Sequence, residues 1–168
     1  QLNNFRYDSP ETKNIDKGAI VPSTIGKELA LYVVYYSPMQ MAADLPKHYS
    51  KHMDAFAFIK NVPVDWSERK ILNSKFREYV CMARKDKYSE NWYVGGITNE
   101  NERDLKIDFS FLESGKEYTM KMYLDTQNTH WKENPMEYQI TEREVSANDN
   151  IDIYLAPGGG FAIEIIAK

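Results

Sequence analysis

From Pro63 to the end of the chain, apolar and polar residues alternate in several separate segments. In LKIDFSFL, for example, Leu105, Ile107, Phe109 and Phe111 fall on one face, and Lys106, Asp108 and Ser110 fall on the other. A period of two is typical of a β-strand with one buried face, whereas a helix repeats every 3.6 residues. This alternation predicts β-structure for most of the chain, with the apolar set buried and the polar set in water.

The same pattern recurs along the C-terminal region. Further candidate strands are YTMKMYL, NIDIYLA, FAIEIIA, EYVCMARK, NWYVGGIT and YQITEREV, and a weaker one lies at 69–72. Turn sequences at 113–115 and 156–160 separate some of them. About eight strands at this spacing predict an antiparallel β-sandwich of two sheets over residues 63–168.

The N-terminal region has a different character. Residues 1–22 are polar and irregular, and Ser23 or Thr24 can cap a helix that continues to about Ser37. A last amphipathic helix starts at Asp54, with Phe56, Ile59 and Val62 facing inward. The sequence therefore predicts an α+β, mainly β chain in which a short N-terminal helical segment, residues 1–62, precedes the sandwich.

The segment 28–46 is apolar on every side when it is drawn as a helix. One side carries Tyr32, Val33 and Tyr36, and the other carries Leu31, Val34 and Tyr35. A helix that is apolar all round must be buried all round, and the sandwich can cover only one of these sides. We therefore expect a partner for the other side, either a second copy through residues 28–46 or the rest of a longer polypeptide. Gln1, which is not an initiator methionine, favours the longer polypeptide.

Several classes of partner are disfavoured. The net charge of −4 argues against nucleic acid. The uninterrupted apolar run from Leu29 to Tyr36 is much shorter than the ~20 residues that cross a membrane. The single Cys81 excludes an internal disulfide.

Some residues have spacings that could support chemistry. The paired carboxylates are Glu100 with Glu102, Glu142 with Glu144, and Asp149 with Asp152. They fall in turns or on exposed strand faces, where nothing would raise the pKa of one member, so a solvated surface is the better interpretation. His48 and His52 have the i, i+4 spacing of a zinc pair but lack a convincing third ligand. We expect no catalytic, cofactor-binding or metal-binding residue in this chain.

Other residues also have an ordinary structural interpretation. Gly158, Gly159 and Gly160 precede a strand rather than a helix, which favours a tight hairpin turn over a phosphate-binding loop. Cys81 is best explained as a small apolar strand residue. The mixed charges of 84–87 suggest a solvated strand end. Among the tryptophans, Trp66 and Trp92 fit a core, whereas Trp131 lies in the polar loop TQNTHWKENP and is the best candidate for a sugar contact.

Several separated motifs, in one order, carry a resemblance to a known family. They are LALYVVYYSPMQMAADLP, DAFAFIKNVPVDW, ARKD, NWYVGGITNEN, FSFLESGKEY and LAPGGGFAI. Together they resemble the C-terminal part of glycoside hydrolase family 97, from about Ser23 to the end. The resemblance implies an N-terminal β-sandwich, a catalytic (β/α)8 barrel and a C-terminal antiparallel β-domain. Residues 1–62 would then be the last loop and helices of the barrel, and 63–168 the β-domain.

The resemblance also implies a function. Such enzymes hydrolyse oligosaccharides that are α-glucosides or α-galactosides, with a calcium ion at the active site, and they are usually exported to the periplasm or cell exterior. We expect the catalytic and calcium-binding carboxylates upstream of Gln1, so that this chain binds no calcium and supports the barrel without being active alone. MAADLP and FIKNVPVDW resemble the retaining, α-galactosidase-like branch more closely. The alternative is a non-catalytic sandwich that binds carbohydrate or acts as a structural interaction domain.

Overall fold

A computed structural model describes residues 21–42 and 46–168 of the chain. Within these ranges short helices precede eight strands, which confirms the α+β, mainly β class. The elements are α1 (Ile25–Val34), α2 (Pro46–Tyr49), α3 (Met53–Asn61), β1 (Trp66–Lys75), β2 (Tyr79–Asp86), β3 (Trp92–Thr98), β4 (Arg103–Asp108), β5 (Tyr118–Leu124), β6 (Gln139–Val145), β7 (Asn150–Leu155) and β8 (Gly160–Ala167). The irregular segment predicted over 1–22 lies outside the described residues, apart from its last two.

The strands form two antiparallel sheets, as predicted. The larger sheet has six strands in the order β1-β2-β3-β8-β5-β6, and the smaller sheet pairs β4 with β7. The smaller sheet packs on one face of the larger sheet, and α1 and α3 pack on the other face. The molecule therefore has three layers, and the larger sheet is covered on both sides.

The core between the two sheets confirms the alternation of β4. Leu105, Ile107 and Phe109 are buried, whereas Lys106 and Asp108 are exposed. Phe111, predicted to be buried with them, is only partly buried and packs at the edge of this core, because it lies beyond the end of β4. Other members of this core, from six further strands, are Cys81, Ala83, Trp92, Val94, Met120, Met122, Val145, Ile153, Leu155, Phe161, Ile163 and Ile165. The apolar faces that the sequence places inward thus meet each other in one sandwich core.

A second core lies between the larger sheet and the helices. Leu29 and Val33 of α1 and Phe58 of α3 pack here with Tyr93 of β3 and Tyr123 of β5. The ring of Phe58 makes edge-on contacts with both tyrosines, with centroid separations of 6.1 Å and 5.3 Å. This core attaches the helical segment to the sheet through apolar contacts and not only through the chain connection.

The helical layer corrects the prediction for β8. The alternation in FAIEIIA predicts one buried face, formed by Phe161, Ile163 and Ile165. The opposite face is buried as well, because the helices cover it: Ala162 has no exposed surface and Glu164 is 4% exposed. Burial of a strand on both faces is usual only when two layers sandwich its sheet.

The start of α1 is as predicted, but its end is not. The Thr24 side chain caps the helix by accepting from the Lys27 amide at 3.2 Å. The helix ends at Val34 rather than near Ser37, because the next residue, Tyr35, is extended.

The predicted division of 28–46 into two apolar sides is therefore wrong. Val33 and Val34 are both buried against the sheet, whereas Tyr35 and Tyr36 are 63% and 60% exposed. Adjacent valines share the buried face because the helix buries a broad stripe that recurs at i, i+1, i+4 and i+5. The two tyrosines lie beyond the last turn, where the sheet no longer covers the chain.

Glycines allow α1 to approach the sheet closely. A Cβ atom on Gly95 of β3 would lie 2.8 Å from the Ala30 carbonyl oxygen, and one on Gly26 of α1 would collide with the Gly160 carbonyl oxygen of β8. Backbone is thus packed against backbone, a separation that only glycine permits.

The inward residues of α3 differ in part from those predicted. Ala55 and Phe58 have no exposed surface, and Val62 is buried as expected. Phe56 and Ile59 are only partly buried and pack at the edge of the second core.

Candidate functional site

A buried carboxylate lies at the N-terminal end of α1. Asp125, directly after β5, is 2% exposed, and its Oδ2 atom accepts from the amides of Ala156 at 3.2 Å and Gly160 at 2.7 Å. At the same end of the helix, Lys27 Nζ donates to the Thr98 carbonyl at 3.0 Å. Lys27 therefore ties the first turn of α1 to the end of β3, and Asp125 lies beside that turn while it is bonded to the segment that leads into β8.

The environment of Asp125 makes its charge costly. Burial raises the pKa of Asp125 to about 6, although the Thr24 side chain, the two amides and Lys27 lower it in part. No hydrogen bond to its Oδ1 atom is formed by any residue within 21–42 and 46–168. This oxygen faces the first turn of α1, because a Cβ on Gly26 would lie 2.9 Å from it. The positive end of the helix dipole stabilises a carboxylate in this place.

A buried guanidinium group holds the C-terminal end of α1. Arg84 of β2 is 6% exposed, and its Nε atom donates to the Val33 carbonyl at 2.6 Å. Its charge lies 5.7 Å from the ring centroid of Tyr36 and 6.0 Å from that of Trp66. A cation here satisfies a carbonyl that the helix leaves unpaired and interacts favourably with the helix dipole. The prediction that 84–87 is a solvated strand end is therefore wrong for Arg84.

An exposed apolar segment follows α1. Its members, which we call the exposed patch, are Tyr35, Tyr36, Met39 and Met41, and they are 63%, 60%, 71% and 71% exposed. Large apolar side chains that cluster on a surface typically mark a site of contact with another protein surface. Of the residues that the sequence places on the two sides of 28–46, Tyr35 and Tyr36 are thus the ones that stay exposed, and Met39 and Met41 join them.

Polar groups are also buried beneath α3. Glu164 of β8 lies opposite Tyr93 of β3 and Lys121 of β5 in the sheet register. Burial raises the pKa of Glu164, while Asn61 and Lys121 lower it in part. Among the described residues, neither Glu164 Oε1 nor the Tyr123 hydroxyl has a hydrogen-bond partner. The cluster is closed off by α3, so it offers no open surface to a substrate.

The paired carboxylates lie where the sequence places them. All six are exposed: Glu100, Glu102, Glu142, Glu144, Asp149 and Asp152. Glu102 accepts from the Tyr154 hydroxyl at 2.7 Å, and Asp149 accepts from the Ser146 amide at 2.7 Å. These contacts are those of surface and turn carboxylates.

The two histidines do not share a helical face. His48 belongs to α2, which ends at Tyr49, and His52 directly precedes α3. The His52 Nδ1 atom instead lies 3.4 Å from the Tyr138 hydroxyl. Because the two rings sit in separate elements, the i, i+4 argument for a zinc pair does not apply.

The glycine triplet forms a tight turn, but not the hairpin that the sequence predicts. Gly158 has a φ of 65°, and the Gly159 amide donates to the Ala156 carbonyl at 2.8 Å. The turn carries the chain from β7 in the smaller sheet to β8 in the larger one. It therefore connects two layers of the sandwich.

Cys81 and two of the tryptophans have structural positions. Cys81 has no exposed surface, and burial raises the pKa of its thiol to about 12, which keeps the sulfur protonated. Trp92 packs in the sandwich core against Phe111, with ring centroids 5.0 Å apart. Trp66 packs edge-on against Tyr93 in the second core.

Trp131, the predicted sugar contact, belongs to neither hydrophobic core. It is half-buried in the loop between β5 and β6, and its ring is stacked with that of His130 at a centroid separation of 5.9 Å. Its Cβ packs against Gly158. The loop therefore holds this ring beside the turn before β8.

The residues that the structure describes contain no cluster suited to bind calcium. Among these residues no group of three or more histidine, cysteine, aspartate or glutamate side chains is placed to hold a metal ion. Likewise, none of the described helices is long and apolar enough to cross a membrane.

The residues missed by sequence reasoning are the buried charges Arg84, Asp125 and Glu164. Each had a weak signal. Glu164 interrupts an apolar strand, Arg84 follows the small buried residues Cys81 and Ala83, and Asp125 directly follows the strand YTMKMYL. A charge in such a position indicates a nearby partner, but it does not identify that partner.

The fold and this site define a class of protein, a mainly β domain with a layer of helices on one face of its larger sheet. Lys27 and Arg84 bind at the two ends of α1 in this layer. The particular family is shown by comparison with known proteins. The family model described as "Glycosyl-hydrolase 97 C-terminal, oligomerisation" matches residues 65–166. The chain belongs to this family.

Individual relatives agree with this assignment. The chain is 35% identical, over 167 residues, to a retaining alpha-galactosidase of Bacteroides thetaiotaomicron, covering 95% of this chain and 24% of the relative. A solved glycoside hydrolase family 97 enzyme from Pseudoalteromonas sp. strain K8 has a TM-score of 0.86 at 43% identity, covering 89% of this chain and 23% of that enzyme. A beta-arabinopyranosidase, with a TM-score of 0.71 at 24% identity over 90% of this chain and 23% of its own, shares the fold. The chain thus spans about a quarter of the length of these relatives.

Proposed function

We propose that this chain is the C-terminal portion of an α-glycosidase of the α-galactosidase type, and that it supports a catalytic barrel without supplying catalytic residues. The observation that carries the proposal is the match to the family 97 C-terminal model over 65–166, in relatives about four times as long. Residues 1–62 would provide the last loop and helices of the (β/α)8 barrel, and residues 63–168 the β-domain. An N-terminal β-sandwich would complete the polypeptide.

The physical support for a barrel partner comes from the exposed patch. Sheet and helices cover each other through the second core, but Tyr35, Tyr36, Met39 and Met41 extend past α1 without cover from the described residues. Their side chains would pack against the remaining part of the barrel. The charges at both ends of α1 would then fix the direction in which this segment leaves the β-domain.

The calcium ion and the cleaving carboxylates belong, in this proposal, to the upstream part. The described residues include no group that fits a calcium ion, so no step of the reaction is assigned to them. The substrate would be an oligosaccharide with an α-linked galactose, a choice supported by the 35% identity to the retaining alpha-galactosidase. Action on α-glucosides and a periplasmic or extracellular location are further parts of the proposal.

The proposal predicts that the isolated chain is inactive. The purified 168-residue protein should not hydrolyse aryl α-galactosides or aryl α-glucosides above background, with or without calcium, because its carboxylate pairs are exposed and solvated. The polypeptide that includes the upstream region should hydrolyse at least one of them. Turnover by the isolated chain that disappears when one of its own carboxylates is replaced would contradict the assignment.

The proposal also predicts self-association of the isolated chain through 28–46, because the exposed patch then lacks its barrel cover. Light scattering over a concentration series should show a rising mass. A Tyr35→Ser/Met39→Ser variant should remain monomeric. The control is Tyr88→Ser, which removes a 79% exposed ring elsewhere and should associate like the unmodified chain. A monomer at every concentration would refute the proposed contact.

A further inference from the structure

A cleft opens beyond the C-terminal end of α1, beside the first strand of the larger sheet. We call it the arginine cleft. Its volume is about 370 Å3, and the residues that line it are Tyr36, Trp66, Ser67, Glu68, Arg69 and Arg84. Because Tyr36 also belongs to the exposed patch, the cleft is continuous with that patch. It therefore lies on the surface through which this chain is proposed to contact the rest of its polypeptide.

Two guanidinium groups line the arginine cleft. Arg69 of β1 and Arg84 of β2 are directly opposite each other in the antiparallel register, so their side chains leave the sheet on the same face. Like charges in such a pair destabilise a sheet. Burial lowers the pKa of Arg84, and the nearby charge of Arg69 lowers it further. The pair is therefore unfavourable unless a negative charge lies beside it.

No carboxylate of the described residues neutralises this pair. None of the salt bridges within 21–42 and 46–168 includes Arg69 or Arg84. Glu68 borders the cleft, but it is opposite Lys85 in the register, and alternation places both of these side chains on the other face of the sheet. The helix end that Arg84 contacts carries only about half a negative charge. Two positive charges thus face a partial negative one.

Arg84 also has hydrogen-bond donors to spare. A guanidinium group has five N–H donors. In Arg84, Nε donates to the Val33 carbonyl, and Nη2 lies 3.5 Å from the Val34 carbonyl oxygen. Nη1 has no hydrogen-bond partner among the described residues and is not one of their fully enclosed unpaired atoms, so it is open to the cleft. A carboxylate is the group that accepts two parallel bonds from a guanidinium.

We propose that the arginine cleft binds the carboxylate of an aspartate or glutamate side chain from the upstream part of the polypeptide. This inference rests on the proposed function, in which residues outside this chain complete a barrel. The two unneutralised guanidinium groups select a carboxylate as the ligand. Continuity with the exposed patch, in a family whose members are about four times as long as this chain, selects the source. The carboxylate would join the two regions beside the apolar contact of Tyr36.

The test is a charge reversal, Arg69→Glu, made both in the isolated 168-residue chain and in the intact polypeptide. Thermal unfolding is followed by calorimetry at one low protein concentration. In the isolated chain the new carboxylate is opposite Arg84, so the midpoint should rise by about 2–4 °C. In the intact protein the same carboxylate repels the bound side chain, so the midpoint should fall by a similar amount. Shifts of the same sign and size in both proteins would refute the proposed contact.

The matched control is Lys70→Glu, which makes the same charge change one residue further along β1. Alternation places Lys70 on the other face of the sheet, where its Nζ atom lies 5.7 Å from the ring centroid of Trp92. The midpoint should therefore shift alike in both proteins. Arg69→Gln removes the charge without adding a carboxylate, and it should lower the midpoint only in the intact protein. It provides the same comparison if Arg69→Glu fails to fold there.

Sodium acetate distinguishes a side chain from a free anion. Compared with sodium chloride at equal ionic strength, acetate should raise the midpoint of the isolated chain, whose cleft is open, and Arg69→Glu should abolish that rise. The intact protein should show no such rise, because its cleft is filled. A rise in both proteins would mean that the ligand is a free carboxylate, and it would refute the upstream side chain.

A separate assay distinguishes this inference from the proposed function. Hydrolysis of aryl α-galactosides and α-glucosides by the unmodified intact protein tests the glycosidase assignment alone. Opposite shifts for Arg69→Glu in a protein without this activity would refute the glycosidase and support the carboxylate contact. Equal shifts in an active enzyme would refute the contact and leave the glycosidase assignment standing.

Discussion

Replacement of Phe109 by alanine is expected to lower the free energy of unfolding by about 3–5 kcal/mol, because it leaves a cavity in the sandwich core. Phe109 has no exposed surface and lies just past the end of β4, where the smaller sheet closes on the larger one. Its ring neighbours Phe111 at a centroid separation of 6.0 Å. Urea unfolding followed by circular dichroism would measure the difference.

The matched control for this measurement is Phe76→Ala. Phe76 is 89% exposed, so its removal should change the free energy of unfolding by less than about 0.5 kcal/mol. A loss at Phe109 as small as that at Phe76 would show that the register of β4 is wrong and that its apolar face is not in the core.

Replacement of Gly26 by alanine is expected to destabilise the protein, against the usual preference of helices. At an exposed helix position this change would stabilise by about 1 kcal/mol. Here the new Cβ would collide with the Gly160 carbonyl oxygen and lie 2.9 Å from Asp125 Oδ1, so α1 must move away from β8. A loss of about 2–3 kcal/mol is expected from this overpacking, measured by the same urea unfolding. A gain in stability would mean that α1 does not lie so close to the sheet.

The sequence predicted burial best for strands that have the core on one side and water on the other. Leu105, Ile107 and Phe109 alternate with charged residues because one side of β4 meets the core and the other meets water. The prediction for β8 was incomplete, since a second layer buries Ala162 and Glu164 and depends on helices far away in the chain. Periodicity describes one strand at a time, so it does not indicate when a distant element buries the strand's second face.

The buried charges were missed for a related reason. Arg84 and Asp125 are separated by about forty residues in the chain and from α1 by more than that, yet each is placed by the end of one helix. The backbone partners of these charges, the Val33 carbonyl for Arg84 and the Gly160 amide for Asp125, are brought to them only by the fold. Trp131, in contrast, could be singled out because a large aromatic residue in a polar loop stands out locally.

The second core has a consequence for how such a polypeptide can be divided. The family match begins at residue 65, and the proposed boundary at 62/63 places α1 and α3 outside the β-domain. Their apolar side chains, however, share one interior with Tyr93, Tyr123 and Ala162 of the larger sheet. The matched region and the hydrophobic interior therefore do not have the same boundary. Separating the chain at 62/63 would divide the second core instead of a linker. In the proposed enzyme, the helical segment and the β-domain would therefore fold as one unit.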